Sequence, residues 1–384
     1  MQVKTIVAFI IMIASVMRPS EEEWGFYGHR LINETAVFTL PVELISLYKG
    51  NIEFVREHSV DPDKRRHASK LEAVRHYIDL DIWGSYPFDN VPRDFAAALV
   101  GNGSLHILEV SSEDTIMTWR DEEIWDNVLT DVQRDILIEE YRKDIIGALD
   151  KGYLSLPRSW MPDSVTRLGH ELIYVEGFSQ YGILPYHLEM YQSRLTSAFK
   201  KQNWPLVLRI STELGHYLSD AHVPLHTTEN YNGQLTGQDG IHAFWESRIP
   251  ELFAANDYDF FVGRAKYIED TKSYFWDVVL ESHTYVDEVL SKELELRQAF
   301  AKDKQYCYEE RGAVSSTRVE CEAYARAYQD AMQGMVEDRM RKSIQGVGSC
   351  WYTAWIDGGR PDLQSLKDTS IFDTLSIPQI PDIH

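Results

Sequence analysis

The sequence predicts an all-α fold, a multi-helix bundle with irregular insertions, and three observations lead to this prediction. Apolar residues recur at near-helical spacing through long segments, most clearly over residues 119–151. Strand-like patterns are scarce, with residues 75–80 and 105–110 as the only candidates. Of the 384 residues, 44% are hydrophobic and 12% aromatic, so the chain can bury a substantial core in one large domain or two smaller ones.

The predicted helices and loops follow one another along the chain. A first amphipathic helix, broken by Pro41, is expected over residues 28–50, and later helices over residues 119–151, 186–200, 204–220, 247–257, 262–296 and 318–344. The composition of residues 82–118 and 227–240 is typical of polar loops. We expect one domain over residues 24–358, with an insertion around 82–180, and an extended tail over residues 359–384.

Residues 1–23 predict a signal peptide or another N-terminal hydrophobic segment. An apolar run over residues 5–17 follows Lys4, and its length suits a signal-peptide core better than a membrane span. A buried N-terminal helix is the alternative. Since no later apolar run is long enough to cross a bilayer, we expect an exported protein that is soluble after processing.

The three cysteines allow at most one intrachain pair. Cys307 and Cys321 bracket a charged segment and could close a loop in an oxidising compartment, whereas three unpaired thiols are the alternative. Cys350 stands apart from both. No feature of the sequence predicts an obligate protein partner.

Residues 214–226 combine three histidines with a carboxylate. His216 and Asp220 are four residues apart, so on a helix they project from one face. Pro224 should bend or end that helix and direct His226 away from the pair. This layout suits two neighbouring metal ions better than one.

A second pair, His242 and Glu246, has the same spacing. Imidazole nitrogens and carboxylate oxygens are the ligands that Zn²⁺ takes from a protein when no cysteine is offered. The alternative interpretation is two amphipathic helices with buried histidines bonded to carboxylates. Two such pairs within about thirty residues, with His226 between them, favour the metal interpretation because buried charged groups need partners.

Further candidate ligands lie upstream. Asp61 is in a proline-containing loop, and His76 opens a short alternating stretch. Trp24 and His29 stand where the folded part of the chain is expected to begin. Taken singly, each residue also fits a loop carboxylate, a surface histidine or a core tryptophan.

As an ordered set, these residues resemble the superfamily of zinc-dependent phospholipases C and the related trinuclear-zinc, single-strand-specific nucleases. The resemblance covers the chain from Trp24 to Glu246 and rests on four patterns: Trp-x-x-x-x-His at 24/29, Asp61 with His76 fifteen residues on, His-x-x-x-Asp-x-x-x-x-x-His at 216/220/226, and His-x-x-x-Glu at 242/246. Each pattern alone is weak, whereas the ordered set is specific. The family implies an all-α fold with a zinc cluster in a cleft.

The resemblance implies three zinc ions. The first would be held by Asp61, His76, His216 and Asp220. The second, more exposed ion would be held by His226, His242 and Glu246. The third would be held by His29, Asp220 and the backbone of Trp24, so that Asp220 bridges the first and third ions.

The family mechanism implies attack on phosphorus by a zinc-bound hydroxide. Zinc lowers the pKa of its water towards about 7. Asp61 is expected to orient the nucleophile, and Lys64 and Arg65 to neutralise phosphate oxygens. The expected substrate is therefore a phosphodiester.

The chain also departs from the family. Trp24 is preceded by residues 18–23, which lack the small residues that a signal peptidase prefers; either another protease trims the chain or the third site is altered. Glu246, where the nucleases tend to have aspartate, and the short run from His226 to His242 look more like the phospholipase C branch.

Three functions follow from these patterns. A phospholipase C is expected first, and a single-strand nuclease or 3′-nucleotidase second. A non-catalytic zinc-binding helical protein is the third. The net charge of −22 argues against avid polyanion binding, although zinc would reverse the charge locally.

Overall fold

A computed structural model describes residues 25–66, 70–109, 115–119, 129–161, 170–311 and 314–363. These residues are mostly helical, as the sequence predicted. The helices are α1 (Gly25–Val37), α2 (Val42–Lys49), α3 (Ile52–Glu57), α4 (Asp61–Arg65), α5 (Lys70–Ala73), α6 (Phe95–Gly101), α7 (Asp131–Lys143), α8 (Ile145–Lys151), α9 (Leu184–Lys200), α10 (Trp204–Ala221), α11 (Ile241–Ala243), α12 (Ile249–Asp257), α13 (Thr271–His283), α14 (Val286–Ala299), α15 (Glu322–Ala331) and α16 (Met335–Asp357).

Helix α10 lies at the centre of the bundle, packed by α1, α9, α13 and α16. It begins where the side chain of Asn203 accepts a hydrogen bond from Leu206 N, with Pro205 in the first turn. From Val207 to Ala221 all but one of its side chains, that of Arg209, are buried. A helix that is buried on nearly all faces in this way positions its polar residues inside the protein.

Two adjacent elements were predicted well. The break at Pro41 separates α1 from α2, and α9 and α10 lie within a residue or two of their predicted bounds. Residues 227–240 contain no described helix beyond the 3₁₀ turn Pro224–Thr227, as expected for a polar loop.

The insertion contains α6 and a four-stranded antiparallel sheet of order β2-β1-β4-β3, whose strands are β1 (Gly103–Glu109), β2 (Thr115–Trp119), β3 (Leu154–Leu156) and β4 (His170–Glu176). Residues 82–118, whose composition indicated a polar loop, therefore include α6, β1 and most of β2. The candidate strand at residues 105–110 is thus largely β1. Residues 75–80 form no strand, because their backbone bonds go to separate acceptors: Ile78 N donates to His226 O and Asp79 N to Tyr181 O.

Three predicted helices begin later than the sequence suggested. Residue 119 ends β2, and α7 begins only at Asp131, after the capping box of Thr130. Helix α13 begins at Thr271, since the Asp270 side chain accepts from Ser273 N. Residues 318–320 belong to a strand and not to a helix.

That strand is part of a hairpin, β5 (Tyr306–Arg311) and β6 (Val314–Glu320), which the sequence did not predict. A disulfide between Cys307 and Cys321 closes it, so the pairing that the sequence left open is formed. Cys350 is a free, buried thiol in α16. No helix among the described residues is both long and apolar enough to cross a membrane.

Gly215 permits the close approach of α1 and α10. A Cβ at this position would meet the buried Asn33 side chain of α1, whose Nδ2 donates to His29 O. As a result, the rings of His29 and His216 lie with centroids 3.9 Å apart. The contact between these two helices therefore also sets the distance between two candidate ligands.

We expect Gly215→Ala to destabilise the protein by about 1–3 kcal/mol, the usual cost of inserting a methyl group into a filled contact. Thermal unfolding of the metal-free protein would measure it. Gly101→Ala is the matched control, since a Cβ there meets nothing within 4 Å. Equal effects of the two substitutions would contradict this role of Gly215.

Candidate metal centre

The carboxylate of Asp220 lies among three histidines in the interior. Its Oδ1 is 3.3 Å from His29 Nε2, and its Oδ2 is 2.9 Å from His76 Nδ1 and 3.4 Å from His216 Nε2. Asp220 and His216 come from α10, four residues apart as predicted, while His29 comes from α1 and His76 from a 3₁₀ turn, Val74–His76. All four side chains are nearly fully buried.

A hydrogen bond to the backbone and a contact between the two rings orient the imidazoles of His216 and His76. His216 Nδ1 is 2.9 Å from the carbonyl oxygen of Ser59, so Nδ1 donates there and Nε2 is left facing the centre. His76 Nδ1 and His216 Nε2 are 3.2 Å apart. The two imidazoles thus turn nitrogens towards one point, as metal ligands do.

The structure does not bring Asp61, the aspartate expected in this group, to its histidines; Asp63 lies there instead. Asp63 Oδ1 is 3.6 Å from His216 Nε2 and 3.7 Å from His76 Nδ1. The oxygens of Asp61 are instead bonded to His58 Nδ1 at 2.6 Å and Lys64 Nζ at 2.9 Å. Residues two apart on a helix project about 200° from each other, so Asp61 and Asp63 of α4 cannot face the same site.

A second group contains His226, His242 and Glu246, as the sequence predicted. Glu246 Oε2 is 2.7 Å from His242 Nε2 and 3.3 Å from His226 Nε2. Glu246 lies in one π-helical turn, Phe244–Arg248, that follows α11. His242 is the most exposed of the three side chains, so this group lies nearer the surface; we call it the outer group, and the set around Asp220 the inner group.

The two groups are joined through the backbone of His76. His226 Nδ1 donates to His76 O at 2.6 Å, which leaves His226 Nε2 free to face Glu246. Two residues after His76, Ile78 N donates a hydrogen bond to His226 O at 2.9 Å. One short segment therefore fixes a histidine of each group.

Burial and charge keep the histidines of the inner group neutral. Burial lowers the pKa of His29, His76 and His216 below the ordinary histidine value. Burial, together with the charge of Glu246, raises the pKa of Asp220 well above its usual range. A neutral imidazole is the form that binds a metal, and a cation would restore the charged form of the carboxylate.

In the outer group, burial and the neighbouring imidazoles have opposite effects on the pKa of Glu246. Burial alone would raise the pKa of Glu246, but the imidazoles of His226 and His242 hold it below its usual range. Glu246 is therefore an anionic ligand at neutral pH, with two nitrogens beside it.

The donor geometry fits zinc. Donors about 2.1 Å from a tetrahedral Zn²⁺ lie about 3.4 Å from one another. The separations between carboxylate oxygens and imidazole nitrogens are 2.9–3.9 Å in the inner group and 2.7–3.3 Å in the outer group. Three sets of ligand atoms are close enough to hold an ion: His29 with His216 and Asp220, Asp63 with His76 and His216, and His226 with His242 and Glu246.

The remaining predicted site residues are arranged differently. Trp24 lies outside the described residues. Lys64 is exposed and paired with Asp61, and Arg65 is paired with the buried carboxylates of Glu213 and Glu72. Neither is directed at the inner group.

Arg66 is a basic residue near the inner group that the sequence did not single out. After burial, its charge is the next cause of the lowered pKa of His76, to which Arg65 also contributes, and it partly offsets the rise in the pKa of Asp220 that burial causes. Asp63 and Arg66 are three residues apart and therefore share a helical face, a spacing that could have identified both once Asp61 and Lys64 were assigned to the other face.

Neither a scan against protein-family models nor a search of curated proteins finds a match to this chain. The fold and the donor geometry therefore define the class: a mostly helical protein with buried histidine and carboxylate groups close enough to bind metal ions.

We expect the purified protein to hold about two to three zinc ions, at least one in the inner group, whose two sets of donors share His216, and one in the outer group. A chelator should lower the temperature of thermal unfolding, because ions that bind only the folded chain stabilise it, and zinc should restore it. Elemental analysis and unfolding scans would measure both effects.

His216→Ala should remove metal from the inner group, since its Nε2 faces both Asp63 and Asp220. His170→Ala is the control, because His170 is at the start of β4 and belongs to neither group. Zinc content that stays at trace level after zinc-replete expression would contradict the metal assignment.

Proposed function

We propose that this protein is a zinc-dependent phosphodiester hydrolase of the phospholipase C type. The observation that carries the proposal is the pairing of a donor-rich buried group with an outer group that has three protein ligands. Structural zinc sites are usually closed by four protein ligands, whereas catalytic sites keep a position for water or substrate. The outer group, with three protein ligands, resembles a catalytic site in this respect.

The two groups are close enough to act on one phosphate. His226 bonds to the backbone of His76, and Glu246 acts electrostatically on Asp220. Bound zinc would lower the pKa of a water towards about 7 and offset the charge that develops on phosphate oxygens. The chain itself supplies orientation and charge.

Asp63 is the group that we assign to orienting the nucleophile. It is nearly buried, with Oδ1 towards His76 and His216 and Oδ2 3.9 Å from His29 Nε2. A carboxylate in this position can accept a hydrogen bond from the attacking water and take up its proton. Arg66, on the same side of α4, would neutralise phosphate oxygens.

Acidic residues beside the outer group favour a zwitterionic lipid over a polyanion. Burial raises the pKa of Asp79 to about 7, and the neighbouring carboxylates of Asp81 and Glu229 contribute in the same direction. Asp81 also accepts from Thr228 Oγ1 and Glu229 N, tying two loops together. A cationic head group suits these surroundings, whereas nucleic acid would be repelled.

Exposed apolar side chains in the same loops support a lipid substrate further. Tyr86 and Tyr231 are more than half exposed, and Leu235 is 65% exposed. An apolar surface beside a polar site matches a substrate with acyl chains.

A nuclease remains the second candidate because of Tyr231. Its ring centroid is 6.0 Å from that of His242, so a base could stack beside the outer group.

The Cys307–Cys321 disulfide supports our proposal that the protein is exported, because such bonds persist mainly in oxidising compartments.

The deciding experiment compares hydrolysis of phosphatidylcholine with that of single-stranded DNA by the zinc-loaded protein. We expect turnover of the lipid to exceed that of DNA, and chelation to abolish it. Faster turnover of DNA would favour the nuclease. Bound zinc without turnover of either substrate would favour a non-catalytic zinc protein.

Asp63→Asn should lower kcat by about 10²–10⁴-fold, the usual contribution of a general base, because the amide cannot take up a proton. Zinc content should fall much less, since an oxygen is kept. Rates and elemental analysis would separate the two effects.

Asp61→Asn is the matched control, because Asp61 is bonded to His58 and Lys64 on the other face of α4. Its rate should stay within a few-fold of the parent. A larger loss of kcat in Asp61→Asn than in Asp63→Asn would instead assign the orientation of the nucleophile to Asp61.

A further inference from the structure

Arg248 ends the π-helical turn that carries Glu246, and it is held by the β5–β6 hairpin. Its Nη1 donates to Glu309 Oε2 at 3.0 Å and its Nη2 to Glu309 Oε1 at 2.5 Å, while Nε donates to Glu320 O at 2.9 Å. The guanidinium is only 6% exposed. All of these donors therefore bind acceptors of the hairpin.

The other end of the turn is held by the helix that follows the hairpin. Phe244 packs against Tyr324 and Tyr328 of α15, with ring centroids 5.3 and 4.8 Å apart. Cys321, which is bonded to Cys307, immediately precedes α15, and its carbonyl accepts from Tyr324 N. Both ends of the turn thus rest on one disulfide-closed unit.

The position of Glu246 depends on this support. π-Helical geometry is rare, occurs mostly as a single turn within α-helices and is frequent at functional sites. If the turn relaxed to α-helix, Glu246 and His242 would still share a helical face, but Glu246 would rotate about the helix axis and its 3.3 Å contact with His226, which lies outside the turn, would change.

We propose that Arg248 and Glu309 are positioning residues for the outer group, and that the Cys307–Cys321 hairpin and the metal at the outer group stabilise each other. The two parallel hydrogen bonds between Arg248 and Glu309 hold the turn that carries Glu246 in a fixed position relative to the hairpin. Such coupling is reciprocal, so metal binding must stabilise the hairpin as much as the hairpin favours metal binding. The proposal rests on the metal-binding part of the proposed function and not on hydrolysis.

The first test is a zinc titration of the apoprotein against a chromogenic chelator. Glu309→Gln should weaken the outer zinc about 10–100-fold, the usual effect of losing an interaction that orients a ligand, and leave the inner zinc unchanged. Glu310→Gln is the matched control, because Glu310 is an exposed neighbour on the same strand. Arg248→Lys, which keeps the charge but cannot form two parallel bonds, should give an intermediate loss.

The second test uses reciprocity and no enzymatic activity. Zinc should slow the reduction of the Cys307–Cys321 disulfide by a phosphine in the parent and in Glu310→Gln, and should do so much less in Glu309→Gln. Normal unfolding of the apoprotein would verify that each variant is folded.

Unchanged outer affinity in both Glu309→Gln and Arg248→Lys, or equal protection of the disulfide in all variants, would overturn the proposal. If zinc binds with the expected coupling but no phosphodiester is hydrolysed, the proposed function fails and this inference stands.

Discussion

The structure depends on the burial of the Asp220 carboxylate beside His29, His76 and His216. Removing a carboxylate from water is unfavourable unless it is paired, and burial accordingly raises the pKa of Asp220. A bound cation would remove this cost and would recruit neutral imidazoles at the same time. The packing of α1 against α10, made possible at Gly215, and the 3₁₀ turn that presents His76 both serve to bring the donors around this one carboxylate.

A network of charged and phenolic side chains supports the inner group from behind. Glu72 accepts from the Tyr217 hydroxyl at 2.5 Å and from Arg75 at 2.6 Å, while Arg65 contacts both Glu72 and Glu213. Because Glu213 and Tyr217 belong to α10, the network binds the segment of Asp63 and His76 to the helix of His216 and Asp220. Each of its buried charges has a partner of opposite sign, so the network fixes geometry without leaving an unpaired charge.

Much of the fold and the site could be predicted because it is periodic. Helix α10 and the pairs His216/Asp220 and His242/Glu246 follow from local spacing alone. The choice between Asp61 and Asp63 could not be made in this way, since it depends on the phase of a five-residue helix that Pro62 and its neighbours set. The sheet was missed because β1 pairs with β4, some seventy residues further on, and no local pattern specifies such pairing. The positioning role that we propose for Arg248 could not be predicted from the sequence, because it depends on contact with a hairpin some sixty residues further along the chain.

The inner and outer groups differ in what holds them, and this difference bears on their chemistry. In the inner group, His29, His216 and Asp220 belong to core helices, and the ring of His76 packs against that of His216, so these side chains lie within the packed core. The outer ligands come from a 3₁₀ turn, the short helix α11 and a π-helical turn at the ends of a polar loop, and in our proposal Arg248 aligns the π-helical turn that carries Glu246. In the proposed hydrolase, the inner group would suit the activation of a nucleophile, and the outer group, with fewer protein ligands, would leave a position for water or substrate. If the proposed function holds, binding and release of substrate would involve the outer group, while the inner group stays within the packed core.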